Sequence, residues 1–253
     1  MIKGVFFDID GTLLSSKDGS LARSTRQAIE TLKEKGIKVF VASGRHLCEI
    51  QEQPIHDIDF DGYVLLNGQL AFNANRELFY SSPLQVEGLD QLFNEKKYPL
   101  VYVEEQALYI NYINAYVKRA QNAIATRLPD LGAYKGNPVY QITAFVNEKE
   151  TIDLMKHLPG CKMTRWNSYG IDIISSVGGK ALGIQKLLEA YDISEKEVMA
   201  FGDGENDLDM LKYVGIGVAM QNAPDSLKEV SDYVTSTSEM DGISHALEHF
   251  GLI

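Results

Sequence analysis

Residues 5–12 read Val-Phe-Phe-Asp-Ile-Asp-Gly-Thr, and this stretch decides the fold of the chain. Its first three residues form a short apolar run, which is typical of a parallel strand buried on both faces. Asp8 and Asp10 follow, and residues two apart in an extended segment project to the same side. Because open α/β sheets bind ligands beyond the carboxyl ends of their strands, the two carboxylates predict a site there. The alternative is an Asx-turn with Gly11 at the bend, but the preceding strand and the following Gly11 and Thr12 favour the site.

Strand-like and helix-like segments alternate outward from this stretch. Ser24 and Gln27 have the spacing of a capping box, which predicts the start of a helix that ends at Gly36. Apolar runs predict buried strands at residues 39–42, 63–66, 198–201 and 214–220, a helix at 181–191 and an edge strand at 233–234. The alternation predicts the α/β class, here a Rossmann-like parallel-sheet core with helices on both faces.

Residues 83–179 follow a different pattern. Runs of β-branched and aromatic residues predict strands at residues 100–103, 108–110, 139–143 and 171–174, with a helix at 115–128. Pro83 and the two glycines at 178 and 179 are candidate hinges. We therefore expect an inserted α+β domain at 83–179, within a core domain formed by residues 1–82 and 180–253.

Length and composition limit the classes of function. The 253 residues suffice for one large or two modest domains. A net charge of −11 opposes a nucleic-acid partner or an anionic membrane surface. No apolar run approaches the roughly 20 residues of a membrane span, and the short run before Asp8 predicts no signal peptide. Because two cysteines cannot build a disulfide framework, we expect a cytoplasmic protein.

A second acidic constellation follows another apolar strand, at residues 202–207, which read Gly-Asp-Gly-Glu-Asn-Asp. Asp203 and Asp207 share a face if a helix begins here, although carboxylates at a helix start can also be caps. Mg²⁺ takes carboxylates together with water and substrate phosphate. If the first constellation lies nearby, Asp8 and Asp10 join these acids in a magnesium site.

Two weaker signals concern phosphate binding. Ser43 and Gly44 lie at a strand-to-helix turn, where a hydroxyl and a backbone N–H group can bind phosphate, although a plain turn is the alternative. Lys180 opens a helix, where a cation is unfavourable for the helix dipole. That cost indicates another role, although most lysines are simply solvated.

At these residues the chain resembles the haloacid dehalogenase superfamily of phosphohydrolases. The four motifs of that superfamily stand in the family's order at residues 8–12, Ser43, Lys180, and residues 202–207. The insert between the second and third motifs resembles the superfamily's type II (C2B-like) cap and the Cof-type subfamily, so the resemblance covers the whole chain. One departure is Lys180-Ala181, where the family more often has Lys-Gly.

The resemblance implies a Mg²⁺-dependent phosphatase that acts through an aspartyl-phosphate. Its substrate would be a small phosphorylated metabolite: a sugar phosphate, a nucleotide or pyridoxal phosphate. Asp8 is then expected to be the nucleophile, and Asp10 the general acid and later the general base. The expected metal site consists of Asp8, the backbone carbonyl of Asp10, Asp203 and, nearby, Asp207. The expected phosphate-binding groups are Ser43, Lys180, Asn206 and the N–H groups of Ile9 and Gly44.

Two other classes of function use similar residues. A phosphomutase or phosphotransferase passes the phosphoryl group of the same intermediate to a sugar. A non-enzymatic phospho-receiver module also has an acid pair, a phosphorylated Asp, a Ser or Thr, and a Lys. Such modules lack the large insert and the continuation of Asp10 by Gly11 and Thr12. The residues thus favour a phosphatase, with the phosphomutase as the nearer alternative, and leave the substrate and the oligomeric state open.

Three further patterns have competing interpretations. Trp166, Asn167 and Tyr169 are candidates for a substrate pocket in the insert, against the alternative that aromatic residues there only pack. Residues 245–249 match the zinc-peptidase string H-x-x-E-H, but only four residues follow it, so we expect a helical surface pair. Residues 215–217 resemble the start of a dinucleotide fingerprint without its third glycine, so we expect a core strand.

Overall fold

The computed structural model describes residues 1–124 and 126–253. They form two compact units, which we call the core unit (Met1–Tyr80 with Gly179–Ile253) and the inserted unit (Ser81–Gly178). The strands are β1 (Gly4–Phe7), β2 (Lys38–Ala42), β3 (Gly62–Leu65), β4 (Leu70–Asn73), β5 (Leu78–Ser81), β6 (Leu100–Val103), β7 (Leu108–Ile110), β8 (Gln141–Phe145), β9 (Cys161–Arg165), β10 (Gly170–Ser175), β11 (Val198–Gly202), β12 (Ile216–Ala219) and β13 (Tyr233–Val234). The helices are α1 (Arg23–Glu34), α2 (Leu47–Ile50), α3 (Leu89–Asn94), α4 (Ala115–Ala123), α5 (Glu148–Met155), α6 (Lys180–Tyr191), α7 (Leu208–Tyr213), α8 (Asp225–Lys228) and α9 (Gly242–His249). Within the described residues, no helix has both the length and the hydropathy needed to cross a membrane.

The core unit contains one eight-stranded sheet with the order β13-β12-β11-β1-β2-β3-β4-β5. β1 lies at its centre and pairs in parallel with β2 on one side and β11 on the other. The pairs from β11 out to β13, and from β2 to β3, are also parallel. β4 is antiparallel to β3, so an antiparallel extension adjoins the parallel sheet that the sequence predicts. The reason is the short turn at residues 66–69, which reverses the chain without the crossover helix that a parallel connection needs.

Helices cover both faces of this sheet. Phe6 and Phe40 stack with ring centroids 4.7 Å apart and pack in one cluster with Leu187 of α6. Val39 and Val41 alternate with Phe40 along β2 and therefore face the opposite side, where α1 contacts both β2 and α9. All five side chains are buried, which explains why the strands read as continuous apolar runs. The predicted α/β class is confirmed.

The inserted unit contains a five-stranded sheet with the order β7-β6-β8-β10-β9. Every neighbouring pair in it is antiparallel. Tyr102 and Ile142 on this sheet pack with Leu92 of α3 and Leu154 of α5. The inserted unit is therefore an α+β arrangement with a hydrophobic core of its own.

The start of α1 differs from its prediction. The helix begins at Arg23, its N-cap residue is Ala22, and no side chain caps it. The predicted capping box of Ser24 and Gln27 is therefore wrong. The hydroxyl of Ser24 instead donates a hydrogen bond to the carboxylate of Asp241, so a partner distant in sequence replaces the local one.

Two boundaries in the inserted unit also differ. β8 begins at Gln141, two residues later than predicted, because the carbonyl of Val139 accepts a hydrogen bond from the N–H of Leu84 at 2.8 Å. α4 ends at Ala123, five residues before its predicted end. The predicted extension includes Ala125, which lies outside the described residues.

Candidate active site

The ends of three neighbouring parallel strands bring the candidate residues together. Asp8 directly follows β1, Ser43 follows β2 and Asp203 follows β11. The N–H of Asp8 donates to the carbonyl of Phe201 at 3.0 Å, and the N–H of Ser43 donates to the carbonyl of Val64 at 2.9 Å. These bonds continue the strand ladders by one residue, so backbone pairing fixes the positions of Asp8 and Ser43.

Three carboxylates form a compact cluster, which we call the acid triad: Asp8, Asp203 and Asp207. Each offers an oxygen, and these oxygens lie within 4.8 Å of one another. Asp203 is held by Asn222, whose Nδ2 donates to Oδ2 at 2.7 Å, and by Thr12, whose Oγ1 lies 3.4 Å from Oδ1. Oδ2 of Asp207 accepts from the N–H groups of Asp203 and Gly204, each at 2.9 Å. The helix start at this point therefore orients its own acids.

Lys180 balances part of this negative charge. Its side chain is 0% exposed, and its Nζ donates to Oδ1 of Asp8 at 2.6 Å and to Oδ1 of Asp207 at 2.5 Å. Burial alone would lower the pKa of Lys180, but the carboxylates of Asp207 and Asp8 raise it above its ordinary value. Lys180 thus stays a cation, and the unfavourable start of α6 is explained by these two ion pairs.

One cation does not neutralise three carboxylates. Burial raises the pKa of Asp8 well above its ordinary value, and Asp207, Asp203 and Asp10 add to this effect, while Lys180 opposes it. Burial, followed by the charge of Asp207, raises the pKa of Asp203 to about 7. Both shifts have the same physical cause: negative charge is concentrated where little water can solvate it.

The acid triad fits a hard divalent cation. All its donors are carboxylate oxygens, which Mg²⁺ and Ca²⁺ prefer. Ligands on opposite sides of Mg²⁺ lie about 4.2 Å apart, since each is about 2.1 Å from the ion. The spread of 4.8 Å in the acid triad is close to this distance. Burial is the main cause of the raised pKa of Asp8, and a divalent cation would offset the neighbouring negative charge that adds to it.

Asp10 stands apart from the acid triad. Its carboxylate forms a two-point ion pair with Arg45, in which Nε donates to Oδ2 and Nη2 donates to Oδ1, both at 2.7 Å. The side chain of Asp10 is 56% exposed, and that of Arg45 is 13% exposed. Nothing in the sequence pattern marks Arg45 beyond its position directly after Gly44. The structure shows that Arg45 holds Asp10 in one orientation.

Three candidate phosphate-binding residues, Ser43, Gly44 and Asn206, lie beside Asn67, a residue to which the sequence pattern gave no role in the site. Nδ2 of Asn206 donates to Oδ1 of Asn67 at 2.9 Å. A Cβ atom added at Gly44 would lie 3.1 Å from Nδ2 of Asn67. Ser43 is buried, and its Oγ accepts from the N–H of Arg45 at 3.2 Å. Asn67 stands in an Asn-Gly pair after a strand, which sequence reasoning treated only as the end of that strand.

Ile9 lies between the two candidate catalytic acids. Its side chain is buried, and its carbonyl accepts hydrogen bonds from the N–H groups of Thr12 and Leu14, at 3.3 and 2.8 Å. The turn after β1 is thus closed by its own backbone. Gly11 has φ +77° in this turn, and a Cβ there would lie 2.1 Å from Oδ2 of Asp203. Only glycine lets the turn approach the acid triad so closely.

The three candidate residues of the insert have packing partners within the inserted unit. Trp166 packs edge-on against Phe145, and Tyr169 stacks on Tyr116 with ring centroids 4.5 Å apart. Oδ1 of Asn167 accepts from the N–H of Tyr169 at 2.8 Å. Trp166 and Tyr169 therefore contribute to the packing of this unit, and Asn167 forms a hydrogen bond within its own loop.

Two other sequence patterns have structural roles. His249 lies on α9 and stacks on Tyr233 with ring centroids 4.4 Å apart, and both His245 and His249 are exposed. Gly217 lies within β12, where a Cβ would collide with the carbonyl of Leu211 at 2.5 Å. The expected surface pair and the expected core strand are both present.

The buried Asp8, its ion pair with Lys180 and the acid triad lie together at the carboxyl edge of an α/β sheet. Enzymes with such open sheets bind their ligands at this edge. The sequence profile of the family described as haloacid dehalogenase-like hydrolase matches residues 5–247. The chain belongs to this family. The predicted superfamily and the prediction of an enzyme of the phosphatase type are confirmed.

Relatives of known structure or name align over nearly the whole chain. YkrA of Bacillus subtilis (strain 168) is 33% identical, with 99% of this chain and 98% of YkrA covered. The solved structure of the HAD subclass IIB sugar phosphatase BT4131 is similar with a TM-score of 0.89 and 34% identity, covering 99% of this chain and 100% of that one. A 5-amino-6-(5-phospho-D-ribitylamino)uracil phosphatase, YitU of B. subtilis (strain 168), is 27% identical over 98% of this chain and 97% of its own.

Proposed function

We propose that the chain is a Mg²⁺-dependent phosphatase that hydrolyses a small phosphorylated metabolite through an aspartyl-phosphate on Asp8. One observation carries this proposal: Asp8 is bound to the buried Lys180 and at the same time belongs to the acid triad. A carboxylate held in this way keeps its orientation, and a site with excess negative charge needs a cation to accept an anionic phosphate. The whole-length similarity to a sugar phosphatase supports the substrate class.

Two half-reactions follow from the arrangement. Oδ1 of Asp8 is engaged by Lys180 at 2.6 Å, so we assign the attack on phosphorus to Oδ2. The Asp8–phosphorus bond forms and the ester oxygen–phosphorus bond breaks. Asp10, after giving up one of its two bonds to Arg45 and taking a proton from water, passes that proton to the leaving oxygen. Asp10 then takes a proton from a water molecule that attacks the same phosphorus, which releases inorganic phosphate and restores Asp8.

The remaining residues hold charge. We assign Mg²⁺ to Asp8, Asp203 and the backbone carbonyl of Asp10, with Asp207 nearby; when bound, it offsets the repulsion between an anionic nucleophile and an anionic phosphate. The groups that we assign to the phosphoryl oxygens are Lys180, Ser43, Asn206 and the N–H groups of Ile9 and Gly44. Fixed donors of this kind stabilise the charge that develops in the transition state without having to reorganise.

The covalent step is tested with Asp8→Asn. The amide cannot attack phosphorus, so phosphate release from a panel of phosphorylated metabolites should vanish while circular dichroism stays that of the wild type. Acid quenching of the wild type during turnover should yield a phosphoryl adduct on the peptide that contains Asp8, detected by mass spectrometry. Asp10→Asn is the comparison variant, because it keeps the nucleophile and loses the group that transfers protons; it should lower kcat by about 10²- to 10⁴-fold. Sustained turnover by Asp8→Asn, with deamidation excluded by mass, would refute the covalent mechanism.

A phosphotransferase that uses the same intermediate differs in its acceptor. The panel therefore includes reactions with and without an added sugar. If the phosphoryl group appears on the sugar rather than as inorganic phosphate, the chain is a phosphotransferase.

We further propose that residues 83–179 form a cap that sets substrate choice, through Trp166, Asn167 and Tyr169. The residues assigned above act on the phosphoryl group and its ester oxygen, so recognition of the rest of the leaving group must come from elsewhere. Trp166→Phe and Tyr169→Phe keep the ring contacts with Phe145 and Tyr116 and are expected to change the ranking of kcat/KM values across the panel. For a small aryl phosphate, which has little leaving group to recognise, kcat/KM should stay within about twofold of the wild type. If kcat/KM instead falls by one common factor for every substrate, the variants have lost packing. An unchanged ranking would contradict this assignment.

A further inference from the structure

The turn between β3 and β4 has an unusual backbone. Leu66, Asn67 and Gly68 have φ values of 50°, 53° and 89°, so three consecutive residues lie in the left-handed region. Residues other than glycine adopt this region rarely, although Asn tolerates it better than most. Such conformations persist only where the surrounding structure fixes them.

Two neighbouring segments fix this turn. The N–H of Asn67 donates to the carbonyl of Ser43 at 3.0 Å, and the N–H of Leu66 donates to the carbonyl of Arg45 at 3.3 Å. On the other side, a Cβ added at Gly68 would lie 1.9 Å from the carbonyl oxygen of Gly179. The turn therefore lies against the loop that carries Ser43 and against the residue that precedes Lys180.

The side chain of Asn67 reaches two of the groups that we assign to phosphate. Asn67 is buried, and its Oδ1 accepts from Nδ2 of Asn206 at 2.9 Å. Its amide lies close to Gly44, since an added Cβ there would be 3.1 Å from Nδ2 and 3.2 Å from Oδ1 of Asn67. Because the amide of Asn206 has two N–H donors, the bond to Asn67 takes one of them and directs the other.

We propose that Asn67 is a positioning residue of the phosphate site: it fixes the Asn206 amide so that the second N–H is presented to a phosphoryl oxygen. This inference rests on the proposed function, because it assumes that Asn206 binds the phosphoryl group. It also explains why the strained turn is present, since the left-handed backbone carries the Asn67 amide between Gly44 and Asn206.

The test uses Asn67→Gly, which removes the side chain and fits the left-handed backbone. The probe is inorganic phosphate as a competitive inhibitor, because its inhibition constant reports the phosphate site and does not depend on the fraction of enzyme that is folded. We expect the inhibition constant to rise about tenfold, since a hydrogen bond to a charged group is worth about that factor or more. KM should rise by a similar factor, with kcat changed less.

A double-mutant cycle with Asn206→Ala separates the possible outcomes. If Asn67 acts through Asn206, the double variant should have the inhibition constant of Asn206→Ala alone. If the two substitutions raise the inhibition constant independently, so that their factors multiply in the double variant, the positioning role is overturned. The same holds if Asn206→Ala raises the inhibition constant and Asn67→Gly leaves it unchanged. An unchanged constant in Asn206→Ala would instead overturn the assignment of Asn206 to phosphate, and with it the inference.

Asp192→Gly is the matched control for the backbone change. Asp192 also has a positive φ, 53°, but it is exposed at the end of α6. The substitution should leave the inhibition constant at the wild-type value. If Asp192→Gly raises the inhibition constant as much as Asn67→Gly does, the rise comes from placing glycine at a residue with positive φ and not from the loss of the Asn67 side chain.

Discussion

Replacement of Lys180 by methionine should destabilise the core unit strongly. The methionine side chain has nearly the length of lysine but no charge, so Asp8 and Asp207 would lose the cation that lies 2.6 and 2.5 Å from them. The side chains of Lys180 and Asp207 are 0% exposed, so water cannot replace the lost ion pairs. The free energy of unfolding, measured in the presence of a chelator, is therefore expected to fall.

The size of the loss follows from the burial. Breaking a buried ion pair by removing one partner costs about 3–5 kcal/mol, because the other charge stays buried and unpaired. For a chain of this length, each kcal/mol lowers Tm by about 2–4 °C, which gives a decrease of roughly 6–20 °C. Protonation of Asp8, whose pKa burial already raises, relieves part of the penalty, so the loss should be smaller in acid than at neutral pH.

Lys186→Met supplies the matched control on the same helix. Its Nζ lies 2.8 Å from Glu189, and both side chains are partly exposed, so this substitution should shift Tm far less. Thermal unfolding followed by circular dichroism measures both variants. Fluorescence of Trp166, the single tryptophan of the chain, reports the inserted unit separately. Equal Tm shifts in the two variants would refute the argument that Lys180 neutralises a buried acid cluster.

Two further predictions concern the acid triad. Mg²⁺ at 100 times its Kd should stabilise metal-stripped protein by about 2.7 kcal/mol, which raises Tm. Asp203→Asn should show only a small part of this rise. If Mg²⁺ raises the Tm of the wild type and of Asp203→Asn equally, Asp203 is not a ligand. Gly11→Ala should lower the free energy of unfolding, measured in urea, more than Gly36→Ala does. The two glycines have similar φ values, 77° and 75°, but a Cβ at Gly11 meets Asp203, whereas nothing lies within 4 Å of a Cβ at Gly36. Equal losses would show that the backbone strain alone matters.

The sequence by itself determined the class of the core and the presence of acidic residues at the ends of its strands. Buried parallel strands read as apolar runs because both of their faces pack against helices, and Asp8 and Asp203 are local features, each directly after such a run. Lys180 was also a local signal, since a cation at the start of a helix is unfavourable for the helix dipole and therefore indicates another role. The capping box at Ser24 was a local pattern too, but a distant carboxylate, that of Asp241, competed for the hydroxyl.

Only the tertiary structure decided which of these groups meet. Strand order is a long-range property, and the placement of β1 beside β11 brings Asp8 to Asp203. The packing of α6 on β3 and β4 brings Lys180 to Asp8, 172 positions away along the chain. The ion pair of Arg45 with Asp10 and the bond from Asn206 to Asn67 likewise join segments that no local pattern connects. Their energies depend on burial and distance, which the chain acquires only when the sheet has formed, so these partners could not be read from residue type or spacing.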